Sequence, residues 1–273
     1  MSVMLWTRYA AIGDSFTEGV GDPCEGGAAG GGWRGWADRA AAELAARSNG
    51  PGAPRFGYAN LAIRGRLLDR IVDEQLPAAL DLKPDLVSVS GGGNDLLRPG
   101  VDIDALAARM DEAVAAIRAA GADAVLFTGV DPAGSPVIRR TRGRVAVFNE
   151  HLRAIAARRG AFVVDQWSMD VLRDWRCWGV DRLHMSPEGH RRVALAMLEA
   201  LGVPDAGDWR EPELAPLPEL SRGAQRLANA RWARGYLAPW IGRRLRGRSS
   251  GDLVTAKRPT LSPIEWPRAS AEG

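Results

Sequence analysis

The chain has 273 residues, enough for one sizeable α/β domain plus an extension, or for two small domains. Its 46% hydrophobic and 25% charged content argues against overall disorder, and a net charge of +3 is too small to imply nucleic-acid binding. No apolar run reaches the roughly 18 residues expected of a membrane span.

Apolar runs of strand length alternate with segments of helical period. Tyr9 to Ile12 reads as a first strand ending at Gly13, and residues 33 to 47 place Trp33, Trp36, Ala40 and Leu44 on one helical stripe. Tyr58 to Ile63 predicts a second strand, followed at helical spacing by Leu68, Ile71, Val72 and Leu76, with Pro77 ending that helix or starting another. Asp85 to Ser90 predicts a third strand running into Gly91-Gly92-Gly93. Ile103, Leu106, Met110, Val114 and Ile117 then mark an amphipathic helix, and Ala124 to Val130 a fourth strand. Val145, Phe148, Leu152 and Ile155 mark the next helix, Ala161 to Asp165 a fifth strand, and Ser186 with Pro187 the start of a last helix. This alternation implies βαβ units and a parallel sheet covered on both faces. Ligands of such folds bind beyond the carboxyl ends of the strands.

The texture changes after residue 204. Pro204, Pro212, Pro216 and Pro218 suggest a linker over the surface, and residues 221–250 carry eight arginines and no acid, interleaved with Trp232, Tyr236 and Trp240. Residues 1–220 hold 25 Lys+Arg against 30 Asp+Glu, while residues 221–273 hold 11 against 3, so the basic character belongs to the tail. The stretch from Ser249 reads as mostly irregular. The expected organisation is a main domain over residues 1–204 and a Pro/Arg-rich extension over 205–273, partly helical, packed on the domain or flexible. An arginine-rich helix packed on the acidic domain explains the tail better than a membrane-surface or nucleic-acid patch.

Cys24 and Cys177 allow at most one bridge, have no metal-site spacing, and are expected to be reduced thiols. Arg8 interrupts the N-terminal apolar stretch and the first strand follows at once, so no signal peptide is expected and a cytoplasmic location is expected.

The strongest chemical signal is Gly13-Asp14-Ser15-Phe16-Thr17-Glu18-Gly19, where the first strand meets a turn or helix. A serine hydroxyl is a poor nucleophile unless a base takes its proton as it attacks. The segment is not the Gly-x-Ser-x-Gly elbow of another hydrolase class. Its match lies in Asp181-Arg182-Leu183-His184-Met185-Ser186-Pro187, where an acid three residues before a histidine can hold Nδ1 and leave Nε2 for a serine. The chain has two other histidines: His151 falls inside a helix and reads as a surface residue, and His190, in the first turn of the last helix, reads as structural. Gly91-Gly92-Gly93-Asn94-Asp95 offers the Asn94 amide as a donor, and Gly65 offers a backbone N–H. Each also has a plain reading, Asn94 as an N-cap and Gly65 as a helix-start glycine.

Gly-Asp-Ser near the N-terminus, a glycine after strand two, Gly-x-Asn-Asp after strand three and Asp-x-x-His near the domain end together resemble the four blocks of SGNH (GDSL-like) hydrolases, over roughly residues 8–201. The resemblance implies a three-layer α/β/α, flavodoxin-like fold with a parallel five-stranded sheet. It implies Ser15 as nucleophile, His184 as base and then acid, Asp181 as its orienting partner, and Ser15 N–H, Gly65 N–H and Asn94 Nδ2 as the oxyanion hole. Gly65 fits the family pattern least tightly. Asp95 is expected to support its loop. No metal or organic cofactor is required, and the partner is a small-molecule ester substrate.

Weaker features leave their alternatives open. The glycine-rich run 26–32 lacks the ending of a phosphate loop and reads as a flexible loop or lid. Phe16, Trp175 and Trp178 line a pocket or simply pack, and Arg139 and Arg140 either contact an anionic substrate or are solvated. The leading function is hydrolysis of small or medium acyl esters, with an O-acetyl esterase on a sugar or metabolite as the competitor. A non-catalytic protein binding surfaces through its basic tail is the rival from another class.

Overall fold

The first strand, β1 (Arg8–Gly13), is buried from Tyr9 onward because it lies in the middle of the sheet and is covered on both faces. The chain is seen in a computed structural model that describes residues 6–24, 32–48, 55–135, 138–216, 221–239 and 251–264. A short helix α1 (Ser15–Glu18) follows β1, then α2 (Gly35–Ser48) and β2 (Gly57–Asn60). Next come α3 (Leu68–Arg70), a π-turn (Ile71–Gln75), α4 (Leu76–Asp81) and β3 (Leu86–Ser90). Then follow α5 (Gly93–Leu96), α6 (Ile103–Ala119), β4 (Asp123–Phe127), α7 (Arg142–Arg159), β5 (Phe162–Val164) and α8 (Pro187–Ala200). The region after residue 204 supplies α9 (Arg222–Trp232) and β6 (Arg258–Pro263).

Strand order is β5-β4-β3-β1-β2-β6. The first five are parallel, in the doubly wound 2-1-3-4-5 order that places ligands at the carboxyl end beside β1 and β3. Alternation along β1 divides the core: Tyr9 and Ala11 pack with Trp36, Leu44, Val193 and Met197 of α2 and α8. Ala10 and Ile12 face Ile71, Met110, Ile117 and Leu152 on the other side. Three layers result.

Among the described residues the sheet has six strands where the sequence predicts five. β6, from the stretch expected to be irregular, pairs antiparallel with β2. Pro259 and Pro263 hide it from sequence reading, yet an edge strand needs only one row of ladder bonds and tolerates proline. Prediction also overextends the second strand, which stops at Asn60 rather than Ile63. The Asn60 side chain turns the chain there, its Oδ1 accepting from Ala62 N at 3.1 Å.

Of the two outcomes the sequence leaves open, Pro77 takes the second: it stands in the first turn of α4. It has no N–H, and the turn before it widens so that Leu76 N donates to Ile71 O, five residues back. This π-turn carries Gln75 into the core, where Oε1 accepts from Gly13 N at 2.8 Å and Nε2 donates to Gly13 O at 2.9 Å.

The tail is tied into this frame through Lys257. Its Nζ donates to the carbonyls of Glu18 (2.7 Å), Trp33 (3.0 Å) and Arg34 (2.8 Å) and pairs with the buried Asp38 carboxylate. Among the described residues no helix is long and apolar enough to cross a membrane. Residues 26–32, expected as a flexible loop or lid, fall outside the described residues except for Gly32.

Candidate active site

Ser15 begins α1 directly beyond the carboxyl end of β1, at the sheet's topological switch point. Asp14 caps the helix, its Oδ1 accepting from Phe16 N at 3.0 Å. α1 is short because Gly19 at its end, with φ +94°, packs its backbone against Gly35 at the start of α2. A Cβ on Gly19 would lie 2.6 Å from Gly35 Cα, so only glycine allows the approach.

Ser15 lines a cavity of about 510 Å³ that also takes in Gly65, Asn94, Trp178 and His184. Of the five residues that the sequence assigns to the triad and the oxyanion hole, four therefore reach one cavity, and the fifth, Asp181, stands directly behind His184. Its Oδ2 lies 2.7 Å from His184 Nδ1, while Oδ1 accepts from the backbone N–H of Leu183 and of His184, both at 3.0 Å. Burial raises the Asp181 carboxyl, but the His184 bond and charge and the two backbone donors outweigh it and hold the group below the usual carboxylate range. Three donors on an ionised carboxylate fix the loop, the ring and the Nδ1 proton together. Among the described residues, no hydrogen bond joins Ser15 Oγ to His184 Nε2.

Asn94 is held from two sides. Its Nδ2 donates to Asp14 Oδ2 at 2.9 Å and to Arg66 O at 3.1 Å, which aligns the amide between the Ser15 turn and the Gly65 loop. It caps no helix, since the residue before α5 is Gly92. Asp14, given no role by the sequence, thus bonds the residue on either side of Ser15 in space. Burial pushes its carboxyl up to about 6 against the Phe16 N–H and the His184 charge. Asp95 accepts from Leu68 N at 3.1 Å and pins the start of α3.

The Gly65 loop is shaped by Glu18. This buried carboxylate accepts from Arg64 N at 2.8 Å and pairs with the Arg64 guanidinium, drawing the loop onto α1. Gly65 follows with φ +75°, a conformation that favours glycine. Gln75, Glu18 and Asp14 are the functional neighbours that sequence reasoning missed. Glu18 and Asp14 lie inside the seven-residue serine motif; Gln75 carries no local signal.

The remaining histidines behave differently. His190 is fully buried, accepts from Trp36 N at 3.2 Å through Nδ1 and faces Val20 O at 3.3 Å through Nε2. Burial, against the Val20 carbonyl, lowers it to about 4, so it stays neutral and joins α8 to α2. His151 meets Asp104 on the surface at 3.0 Å. Phe16 and Trp178 line the cavity, whereas Trp175 does not. Cys24 and Cys177 are both free thiols.

The sequence profile of the GDSL-like Lipase/Acylhydrolase family matches residues 11–192, two-thirds of the chain and all of the elements that build this cavity. The chain belongs to the GDSL-like lipase/acylhydrolase family. It is with that family a carboxylic ester hydrolase of the SGNH type. Solved structures repeat the fold. An acetylxylan esterase from Geobacillus stearothermophilus is similar with 21% identity, a TM-score of 0.57 and coverage of 77% of this chain and 98% of its own. An α/β hydrolase from the metagenome of Lake Arreo, Spain, matches at 23% identity and TM-score 0.57, covering 72% of this chain and 95% of its own. The psychrotrophic esterase EstA from Pseudoalteromonas sp. matches at 18% identity and TM-score 0.54, covering 72% and 97%. No curated protein sequence matches the chain.

Proposed function

We propose that this member of the family hydrolyses small or medium acyl esters through an acyl-enzyme on Ser15, with His184 as base and Asp181 as its orienting acid. The observation that carries the reading is the Asp181–His184 pair at 2.7 Å, opening into the cavity that Ser15, Gly65 and Asn94 share. With Nδ1 bonded to a carboxylate, the ring presents Nε2 to the hydroxyl and takes its proton as Oγ attacks the carbonyl. The Ser15–His184 hydrogen bond forms with substrate in place, since catalytic contacts commonly close only in the substrate complex. Charge then develops on the carbonyl oxygen, where Ser15 N–H, Gly65 N–H and Asn94 Nδ2 donate. Asn94 reaches it by sharing the hydrogen of its longer bond, that to Arg66 O. The imidazolium returns the proton to the leaving alkoxide, and water activated by His184 frees the acid and restores Ser15.

The acetylxylan esterase fold relative favours an O-acetyl ester on a carbohydrate or metabolite as a second reading. Hydrolysis of p-nitrophenyl acetate, butyrate and octanoate by wild type and Ser15→Ala tests the mechanism and ranks acyl lengths. Turnover is expected to vanish in Ser15→Ala, and Asn94→Ala to lower kcat by about 10²–10³. Near-normal activity in Ser15→Ala would overturn the assignment. A wild type silent on all three esters and unlabelled by a fluorophosphonate would overturn it equally.

A further inference from the structure

A second cavity, of about 190 Å³, lies on the other side of the histidine loop. Ser135, Arg139, Trp175, Arg182 and Asn229 line it together with two small residues, and among the described residues no acid lines it. It shares walls with the larger cavity. The segment from Pro132 to Thr141 gives Pro132, Ile138 and Thr141 to the larger space and Ser135 and Arg139 to the smaller. The histidine loop likewise turns Leu183 and His184 to one and Arg182 to the other.

Arg182 is held with unusual rigidity. Its backbone adopts φ +54°, and its guanidinium lies between the rings of Trp175 (5.4 Å) and Trp232 (5.2 Å). Nη1 donates to Asn229 Oδ1 at 2.7 Å. Many arginines elsewhere meet carboxylates, as Arg39 meets Asp22 and Arg142 meets Asp131. Among the described residues no carboxylate pairs with Arg182 or Arg139. A stacked guanidinium with most of its N–H donors unspent, beside a second cation and no acid, is the fork that carboxylates and phosphates bind.

Resting on the esterase reading, we infer that this second cavity is a leaving-group subsite for an anion: the natural ester carries a carboxylate or phosphate on its alcohol. The side follows from the chemistry. His184 protonates the departing alkoxide, so the alcohol lies toward the histidine loop, where Arg182, the next residue but one to His184, lines the second cavity. The volume, that of about six water molecules, holds an anionic group and a short spacer rather than a second ring system.

Three acetates with similar phenolic leaving groups test this: p-cresyl acetate, 4-acetoxyphenylacetate and 4-acetoxybenzylphosphonate. One or both anionic esters are expected to exceed p-cresyl acetate in kcat/KM by about ten- to a hundredfold, through KM, and to lose the advantage in high salt. The ester that gains separates a carboxylate from a phosphate ligand. Arg139→Gln and Arg182→Gln are each expected to cut the anionic-to-neutral ratio about tenfold. Arg139 stands on a different loop from His184, so its ratio reads the charge even where Arg182→Gln disturbs the histidine. Equal kcat/KM for all three esters, or ratios untouched by both variants, would overturn the inference while leaving the esterase intact. If p-cresyl acetate is not hydrolysed in a Ser15-dependent way, the esterase reading is what fails. Calorimetric titration with 4-hydroxyphenylacetate against 4-methylphenol then reads the cavity directly. Preferential binding of the acid, lost in Arg139→Gln, supports an anion site, and no preference overturns it.

Discussion

The indole N–H of Trp232 donates to the carbonyl oxygen of Asp181 at 2.9 Å, so the helix that follows the proline-rich segment holds the loop carrying the acid and the histidine. The same indole covers Arg182, whose Nη1 is bonded to Asn229 one turn earlier in that helix. The basic tail is thereby joined to the candidate active site by two hydrogen bonds and a stacked ring.

Trp232→Phe keeps the ring and removes the bond. Loss of one hydrogen bond that positions the loop is expected to lower kcat on p-nitrophenyl acetate about three- to tenfold with KM nearly unchanged. A purely structural role for Trp232 would lower the melting temperature and leave kcat alone.

Gln75 acts on the other half of the site. Its amide closes both backbone groups of Gly13, two residues before Ser15. Gln75→Leu fills similar space and strands the Gly13 N–H in the core, while the Gly13 carbonyl keeps only the Ile63 N–H at 3.2 Å, so stability is expected to fall by about 1–3 kcal/mol in urea unfolding. Turnover of folded protein should fall as well, because the strand end beneath Ser15 loses its anchor.

Lys257 neutralises Asp38, whose carboxyl burial raises even against the lysine charge. Lys257→Met leaves that carboxylate unpaired beside three carbonyls that have lost their donor. A loss of about 3–5 kcal/mol is expected from the urea midpoint. The double variant Lys257→Met with Asp38→Leu should recover much of it.

Asp14 makes stability depend on pH. Its folded carboxyl titrates at about 6 against an ordinary 3.8, so between these values the native state binds more protons than the unfolded chain. The sign follows: this group's contribution declines as pH rises from 4 to 6, by on the order of 3 kcal/mol. Asp14→Asn removes it. Measured in urea at pH 4 and pH 7, the variant should gain on wild type as pH rises. The opposite slope would show that the Asn94 and Phe16 bonds stabilise the carboxylate more than burial opposes it.

Five of the six strands and the long helices were legible in sequence because their residues face one environment: each run is apolar along a buried strand or along one stripe of a helix. Ser15, Asn94, Asp181 and His184 were legible because each lies in a short motif of telling residue types at a strand end or in one loop. Asp181 and His184, three residues apart, form their bond within one loop. Gln75 and Gly13, Lys257 and Asp38, and Trp232 and Asp181 are joined across 62, 219 and 51 residues. Nothing local encodes such pairs. β6 is an edge strand broken by prolines, and Gln75 points inward only because a proline two residues later forces a π-turn. Sequence alone determined which chemistry the chain carries. Tertiary structure decided what holds it in place, since closing a buried amide, carboxylate or carbonyl takes whichever partner the fold brings within 3 Å.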